Sequence, residues 1–337
     1  MKTTPRHWDR MGPVAMLLFP LSGLFAGVVA LRRQLFEKDI LKAIRLPVPV
    51  VVVGNITAGG TGKTPLIVWL AHRLARAGRR PGIITRGYGG SSRAITEVRP
   101  DSDPSSLGDE AVLLARRSGC PVWRGADRVA AGRALLVAHP DCDCLLSDDG
   151  LQHYRLARDV EIAVIDGSRG FGNALPLPAG PLREPVDRLQ TVDAIVVHGR
   201  AAAGLPGGHS MRLVGSRIAH MVERHRTQDL DRWSGRRVHA VAGIGHPPRF
   251  FDALRERGLE PIEHAFADHH AYAAADLDFG DDLPVIMTEK DAVKCFPFAK
   301  ADWWYLPVEA DVSESLWNAV APRIENPLPR TETAPHR

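Results

Sequence analysis

Hydrophobic and polar positions divide the 337-residue chain into stretches of different character. From Met11 to Leu31 no charged residue occurs (MGPVAMLLFPLSGLFAGVVAL), with Arg10 before the run and Arg32-Arg33 after it. As a helix rising ~1.5 Å per residue, such a run reaches about 30 Å, the hydrocarbon thickness of a bilayer. A cleaved signal peptide fits poorly, because the run is long and ends on two arginines rather than on a small-residue cleavage site. A spanning helix would be interrupted by Pro20, Ser22, Gly23 and Gly27, and basic residues on both sides give no orientation. An interfacial anchor with both ends on one side of the membrane suits the flanking charges better. A buried core helix is the reading that needs no membrane.

Beyond this run the pattern changes to short apolar strands alternating with helical repeats. Val48 to Val53 is β-branched without alternation, as in a strand buried on both faces. Leu66, Ile67, Leu70 and Leu74 then follow at helical spacing. Between them lie Gly54, Gly59, Gly60 and Gly62, followed by Lys63 and Thr64. Strand, glycine loop, Lys-Thr and helix form a phosphate cradle: loop and helix-start N–H groups surround phosphate oxygens, the lysine reaches the β and γ phosphates, and the threonine hydroxyl holds Mg²⁺. The first glycine of the strict Gly-x4-Gly-Lys-Ser/Thr pattern is replaced by Thr57. Pro65 falls in the first turn, where a missing N–H costs little.

The α/β rhythm continues. Pro81 to Thr85 reads as a strand ending in Arg86-Gly87-Tyr88, and Gly108-Asp109-Glu110 opens a helix whose acidic start also suits the helix dipole. Cys142 to Leu146 reads as a strand ending in Ser147-Asp148-Asp149-Gly150. Carboxylates at that edge hold Mg²⁺ or its waters in nucleotide enzymes, and a polar turn is the alternative. Val160 to Ile165 and Ala194 to Val197 are further strands. Between them, Gly170 to Pro185 is a Gly/Pro-rich loop, either a rigid wall of a site or packing. Residues 201–235 read as irregular and polar, a boundary. A second strand-and-helix pattern starts at Arg236 and leads to Asp268-His269-His270 and to Thr288-Glu289-Lys290-Asp291. The adjacent histidines invite a zinc reading, but His246 and His264 are the only nearby partners. A catalytic base is the better reading, with a satisfied structural histidine as the alternative.

Composition narrows this picture in three places. Apolar residues at 45% and charged residues at 24% exclude a mostly disordered chain. Four scattered cysteines exclude a disulfide scaffold and a zinc ribbon. The net charge of +4 lacks the bulk basic excess of a nucleic-acid binder. Only Lys2, Lys38, Lys42, Lys63, Lys290, Lys294 and Lys300 are lysines, so a lysine inside a motif carries information.

Taken in order, the glycine loop through Pro65, Arg86-Gly87-Tyr88, Gly108-Asp109-Glu110, Asp148-Asp149-Gly150-Leu151-Gln152-His153, Pro181-Leu182-Arg183-Glu184-Pro185, Asp268-His269-His270 and Thr288-Glu289-Lys290-Asp291 resemble the tetraacyldisaccharide 4′-kinases of lipid A biosynthesis. The resemblance covers about residues 12–320, and Thr57 is normal within it. It implies an α/β fold: a P-loop nucleoside-triphosphatase-like parallel sheet sandwich (α/β/α), a second, smaller α/β lobe, and an N-terminal helix that contacts the membrane. The expected division is 1–34 for the membrane segment, 35–225 for the kinase domain, 226–325 for the second lobe and 326–337 for a disordered tail. The implied activity is ATP- and Mg²⁺-dependent phosphorylation of the 4′-hydroxyl of a lipid disaccharide 1-phosphate, giving the lipid A precursor. Its place would be the cytoplasmic face of the inner membrane of Gram-negative bacteria. No nucleic acid or obligate protein partner is expected.

Carried onto this chain, the resemblance makes Thr57, Ala58, Gly59, Gly60, Thr61, Gly62, Lys63 and Thr64 the nucleotide-binding stretch. Thr64, Asp148, Asp149 and Glu184 become the metal side. Lys63, with Asp109 paired to a second-lobe histidine, becomes the catalytic set. His269 is preferred to His270 because it directly follows Asp268. Two other classes fit less well. A GTPase would show Asn/Thr-Lys-x-Asp, whereas Lys290 and Asp291 are adjacent, and a partitioning ATPase would carry a lysine where Ala58 stands. A membrane-anchored binding protein would leave Asp109, Asp148 and His269 structural.

Overall fold

The computed structural model describes residues 5–200 and 204–325, so the tail expected at 326–337 lies outside the described residues. The uncharged run forms one helix, α1 (Pro13–Glu37), which continues through Pro20 and both glycines rather than breaking there. Its apolar side chains face outward, Leu17 being 81% exposed. Ala15 and Ser22 are its buried residues, and the Ser22 hydroxyl accepts from Ala179 N–H at 2.9 Å in the Gly/Pro-rich loop. This is not the burial of a soluble core helix.

The body follows as β1 (Val50–Gly54), α2 (Lys63–Arg76), β2 (Pro81–Thr85), β3 (Thr96–Val98), α3 (Pro104–Leu107), α4 (Asp109–Ser118), β4 (Val122–Arg124), α5 (Arg128–Ala138), β5 (Cys144–Asp148), β6 (Val160–Asp166), β7 (Ala194–His198) and β8 (His209–Val214). Then come β9 (Arg217–His220), β10 (Thr227–Asp229), β11 (Arg237–Ala242), α6 (Pro247–Glu256), β12 (Glu260–Ala265), β13 (Val285–Thr288), α7 (Glu289–Cys295), β14 (Trp303–Leu306), β15 (Glu309–Val312) and α8 (Glu314–Glu325).

The first sheet runs β15-β8-β7-β6-β1-β5-β2-β4-β3, parallel except at its two edges. β1 is buried along its whole length, as its unbroken valines require. Successive strands fill one side of β1 and then, from β6, the other. The chain therefore switches direction at β1, which puts the ligand crevice at that strand's carboxyl end. One apolar cluster under α2, α4 and α8 fills one face, and a second cluster under α5 fills the other. The smaller sheet runs β10-β9-β14-β13-β11-β12.

Two boundaries differ from the sequence reading. The stretch 201–235, expected to be irregular, contains β8, β9 and β10, and β9 already belongs to the second sheet. β15 and α8, expected in the second lobe, return to the first sheet and its core. β8 and β15 form one edge of the first sheet, and Met211 is the one fully buried side chain between them. An edge strand with so little buried surface leaves almost no period-2 signal.

Candidate active site

The phosphate loop is built by contact with the Gly/Pro-rich loop. Ala58 N–H donates to Pro181 C=O at 2.8 Å, Arg183 N–H donates to Ile56 C=O at 2.7 Å, and Thr57 pairs with Leu182. That loop is thus a wall of the site, and through Ser22 it also ties α1 to the site. Gly62 has φ +90°, and a Cβ there would lie 2.9 Å from His198 Nδ1, so glycine is required on both counts. The N–H groups of Gly60, Thr61, Gly62 and Lys63 make no backbone hydrogen bond among the described residues. They lie at the start of α2, where such donors and the helix dipole favour an anion. Lys63 Nζ sits 3.4 Å from Asn55 Oδ1 and 3.4 Å from Asp149 Oδ1. A cavity of about 300 Å³ opens beside the loop, lined by Thr57, Ala58, Thr61, Asp166, Ser168 and Arg169 among others.

Asp148 closes β5, is buried, and accepts from Thr85 Oγ1 at 2.8 Å. Burial, and then the carboxylates of Glu110 and Asp149, push its pKa up to about 6. Asp149 leaves the strand in a left-handed conformation, φ +47°, and pairs with Lys63 and with Arg183 Nη1 at 2.9 Å. Burial would raise the Asp149 carboxyl, but those two cations outweigh it and hold it below the usual carboxylate range. Glu184 is engaged elsewhere. Its buried carboxylate accepts from Gln152 Nε2 at 2.9 Å and from the Tyr154 hydroxyl. The expected place beside the aspartates is taken by its chain neighbour Arg183, and Glu184 braces the wall.

Across the crevice, α4 begins on Asp109, 4% exposed. His269 Nδ1 lies 3.0 Å from each of its carboxylate oxygens. Burial opposes ionisation of Asp109, but the His269 hydrogen bond and the nearby Lys290 and Lys294 lower its pKa to about 2. For His269 burial works downward, and the bond to Asp109 more than offsets it, so the imidazole is more basic than an ordinary histidine. Nδ1 is committed to Asp109, while Nε2, on a side chain 21% exposed, lies 3.8 Å from Asp268 Oδ1, beyond hydrogen-bond reach. The Tyr88 ring lies against the imidazole, 5.1 Å between centroids. His270 turns to Asp276 at 3.2 Å, and His264 turns to His239 at 2.8 Å. Among the described residues no three His, Cys, Asp or Glu side chains gather as a metal site.

The structure therefore pairs Lys63 with Asp149 beside Asp148, pairs Asp109 with His269, and sets Glu110, the chain neighbour of Asp109, in the field of Lys63. Sequence reasoning missed the ion pairs that close the crevice. Lys290 Nζ bonds Glu110 at 2.9 Å and Asp268 at 3.0 Å. Arg249 of α6 bonds Asp166 of β6 at 2.9 Å, and Arg117 of α4 bonds Glu289 of α7 at 3.2 Å. The scarcity of lysine was the signal available for Lys290.

A glycine loop at a helix start, together with a histidine bound to a carboxylate of the opposite lobe, is an arrangement suited to phosphoryl transfer to a hydroxyl. The fold and site thus define a phosphotransferase of the P-loop class. The family profile described as tetraacyldisaccharide-1-P 4′-kinase (LpxK) matches residues 14–325. A tetraacyldisaccharide 4′-kinase of Azoarcus sp. (strain BH72) is 51% identical over 333 residues, 98% of this chain and 97% of that one. One from Alkalilimnicola ehrlichii is 52% identical over 340 residues, the full length of both. LpxK of Aquifex aeolicus, solved in complex with ATP, superposes with a TM-score of 0.77 at 27% identity, covering 92% of this chain and 99% of that one. The chain belongs to the tetraacyldisaccharide-1-P 4′-kinase family.

Proposed function

We propose that this protein transfers the γ-phosphoryl group of ATP to the 4′-hydroxyl of a tetraacyldisaccharide 1-phosphate at the cytoplasmic surface of the inner membrane. The observation that carries the reading is the Asp109–His269 pair, 3.0 Å apart on two lobes and facing the phosphate loop across one crevice. The loop N–H groups and Lys63 hold the β and γ phosphates. His269 Nε2 accepts the proton of the 4′-hydroxyl. The 4′-oxygen then bonds the γ phosphorus, the bond to the β,γ-bridging oxygen breaks, and ADP leaves. Asp109 fixes the ring through Nδ1 and stabilises the imidazolium that forms. Both halves of the base are present only with the lobes together, which limits ATP hydrolysis by water.

The Thr64 hydroxyl and Asp148, with Asp149 adjacent, are hard oxygen donors of the kind Mg²⁺ takes while keeping waters and phosphate oxygens. When bound there, the ion would neutralise charge on the phosphates.

The acceptor's acyl chains remain in the bilayer, so the enzyme has to sit on it. Exposed Leu17, Leu24 and Val28 of α1 supply apolar surface, and Arg10, Arg32 and Arg33 flank it for anionic headgroups. Incubation of the protein in mixed micelles with γ-labelled ATP, Mg²⁺ and disaccharide 1-phosphate tests the reading. Label on the 4′-oxygen is expected. Label confined to inorganic phosphate, with none in lipid, would end the kinase assignment.

A further inference from the structure

The Asp109–His269 pair is flanked by a second bridge. Asp109 is followed by Glu110, and His269 is preceded by Asp268. Lys290 Nζ bonds both neighbours, Glu110 Oε1 at 2.9 Å and Asp268 Oδ1 at 3.0 Å. Each half of the pair thus has an acidic chain neighbour, and one ammonium group joins the two. We propose that Lys290 is a positioning residue for the transfer reaction, clamping Asp109 of the first lobe to His269 of the second through Glu110 and Asp268. This inference rests on the role given to His269 above.

Three observations support it. First, Lys290 is held rigidly. It is the second residue of α7, whose cap Thr288 accepts from Asp291 N–H at 3.2 Å. Asp291 is fully buried and accepts from Gly243 N–H at 2.8 Å, which pins the start of α7 to the end of β11. Second, the lysine side chain is only 15% exposed. A buried ammonium is kept charged by its partners, here Glu110, Asp109 and Asp268 against the cost of burial. Removing it would leave two carboxylates uncompensated beside the base. Third, Glu110 also lies in the field of Lys63, after that of Lys290 and its own burial.

The groups facing His269 define what the clamp does chemically. Burial lowers its proton affinity, the bond to Asp109 raises it, Lys290 lowers it, and the charges of Asp109 and Asp268 raise it. Lys294 lies 2.9 Å from Asp291 and 3.8 Å from Asp109, so it also bears on the pair, and Tyr88 contributes a neutral ring. Without Lys290, burial and Lys294, 3.8 Å from Asp109, are what still oppose the two aspartates. The ring then holds its proton to higher pH and is lost as a base near neutrality.

The test compares wild type, Lys290→Met and Lys290→Arg in two readouts, the pH profile of single-turnover lipid phosphorylation and the NMR titration of His269, its resonance identified with His269→Asn. For Lys290→Met the expectation is a loss of roughly 10–10² in kcat, the scale of a misplaced catalytic group. KM for ATP should stay near the wild-type value, while the acidic limb and the His269 titration both move to higher pH. Lys290→Arg restores most of the rate and returns the limb. A folded Lys290→Met protein whose limb and His269 titration stay in place overturns the proposal, because a merely structural lysine would leave them there. Should Lys290→Met not fold, Glu110→Gln decides, because it removes only the first-lobe end of the bridge: kcat falls with KM for ATP near the wild-type value if the clamp operates, and an unchanged kcat overturns it. Wild type that shows no lipid phosphorylation, while the His269 titration still answers to Lys290, would refute the kinase reading and leave the clamp standing.

Discussion

The phosphate loop and the Asp109–His269 pair face each other, yet they are made in opposite ways. The loop is one contiguous stretch between β1 and α2, shaped by its own glycines and by the wall that contacts Ala58. The pair joins residues 160 positions apart and exists only where α4 meets the end of β12 and the start of α7. On the proposed reading, the difference makes ATP binding and acceptor activation separable. The first is a property of one lobe, the second of two lobes in contact.

That separation can be broken by mutation. Lys63→Ala should abolish lipid phosphorylation and acceptor-independent ATP hydrolysis together, a loss on the order of 10³–10⁵-fold, the scale of one charged group on a transferring phosphoryl. Labelled ATP followed into both products measures it. Asp109→Asn and His269→Asn should each cost about 10²–10⁴-fold in kcat for lipid while leaving KM for ATP nearly unchanged. A comparable loss of ATP affinity in either variant would erase the distinction between the two regions.

The comparison sharpens with pH. His269 must be neutral to accept a proton, and its affinity is raised by Asp109. Wild-type kcat/KM should therefore fall as pH drops through a value above the ordinary histidine range, and Asp109→Asn should move that limb to lower pH. The same shift has a stability consequence of fixed sign. The contribution of a histidine whose folded pKa is raised is fully present below its unfolded value and is lost as pH rises through the folded one. For Asp109, with a folded pKa of about 2, the contribution is present above about pH 4 and is lost in acid as pH falls toward 2. Thermal melts across pH read both. The smallest effect on chemistry should come from α1. Replacing Leu17 and Leu24 with serine should lower vesicle partitioning by about a hundredfold or more, at roughly 1.5–3 kcal/mol per leucine removed from a buried position. Turnover of a short-chain, water-soluble acceptor should barely change.

What the sequence disclosed follows the same division. β1, Gly59 to Thr64 and α2 could be placed from the residues themselves, because a valine run, a glycine cluster and a helical apolar stripe are local signals. Asp109 and His269 were reachable only through family resemblance, since nothing local relates a helix start to a distant turn. The choice of His269 over His270 now has a geometric basis: one histidine points to Asp109 and the other to Asp276. Glu184 shows how adjacent residues mislead. Pro181-Leu182-Arg183-Glu184 does reach the site, but Arg183 meets Asp149 while Glu184 turns to Gln152 and Tyr154. The edge strands β8 and β15 were invisible because so little of them is buried.

Single-turnover lipid phosphorylation in a double-mutant cycle of Asp109→Asn and His269→Asn tests the central claim most directly. If the two residues act as one base assembled across the lobes, the double variant is no slower than the slower single variant, because either change alone already removes the base. Losses that multiply in the double variant, each residue contributing its full factor independently, would contradict the account.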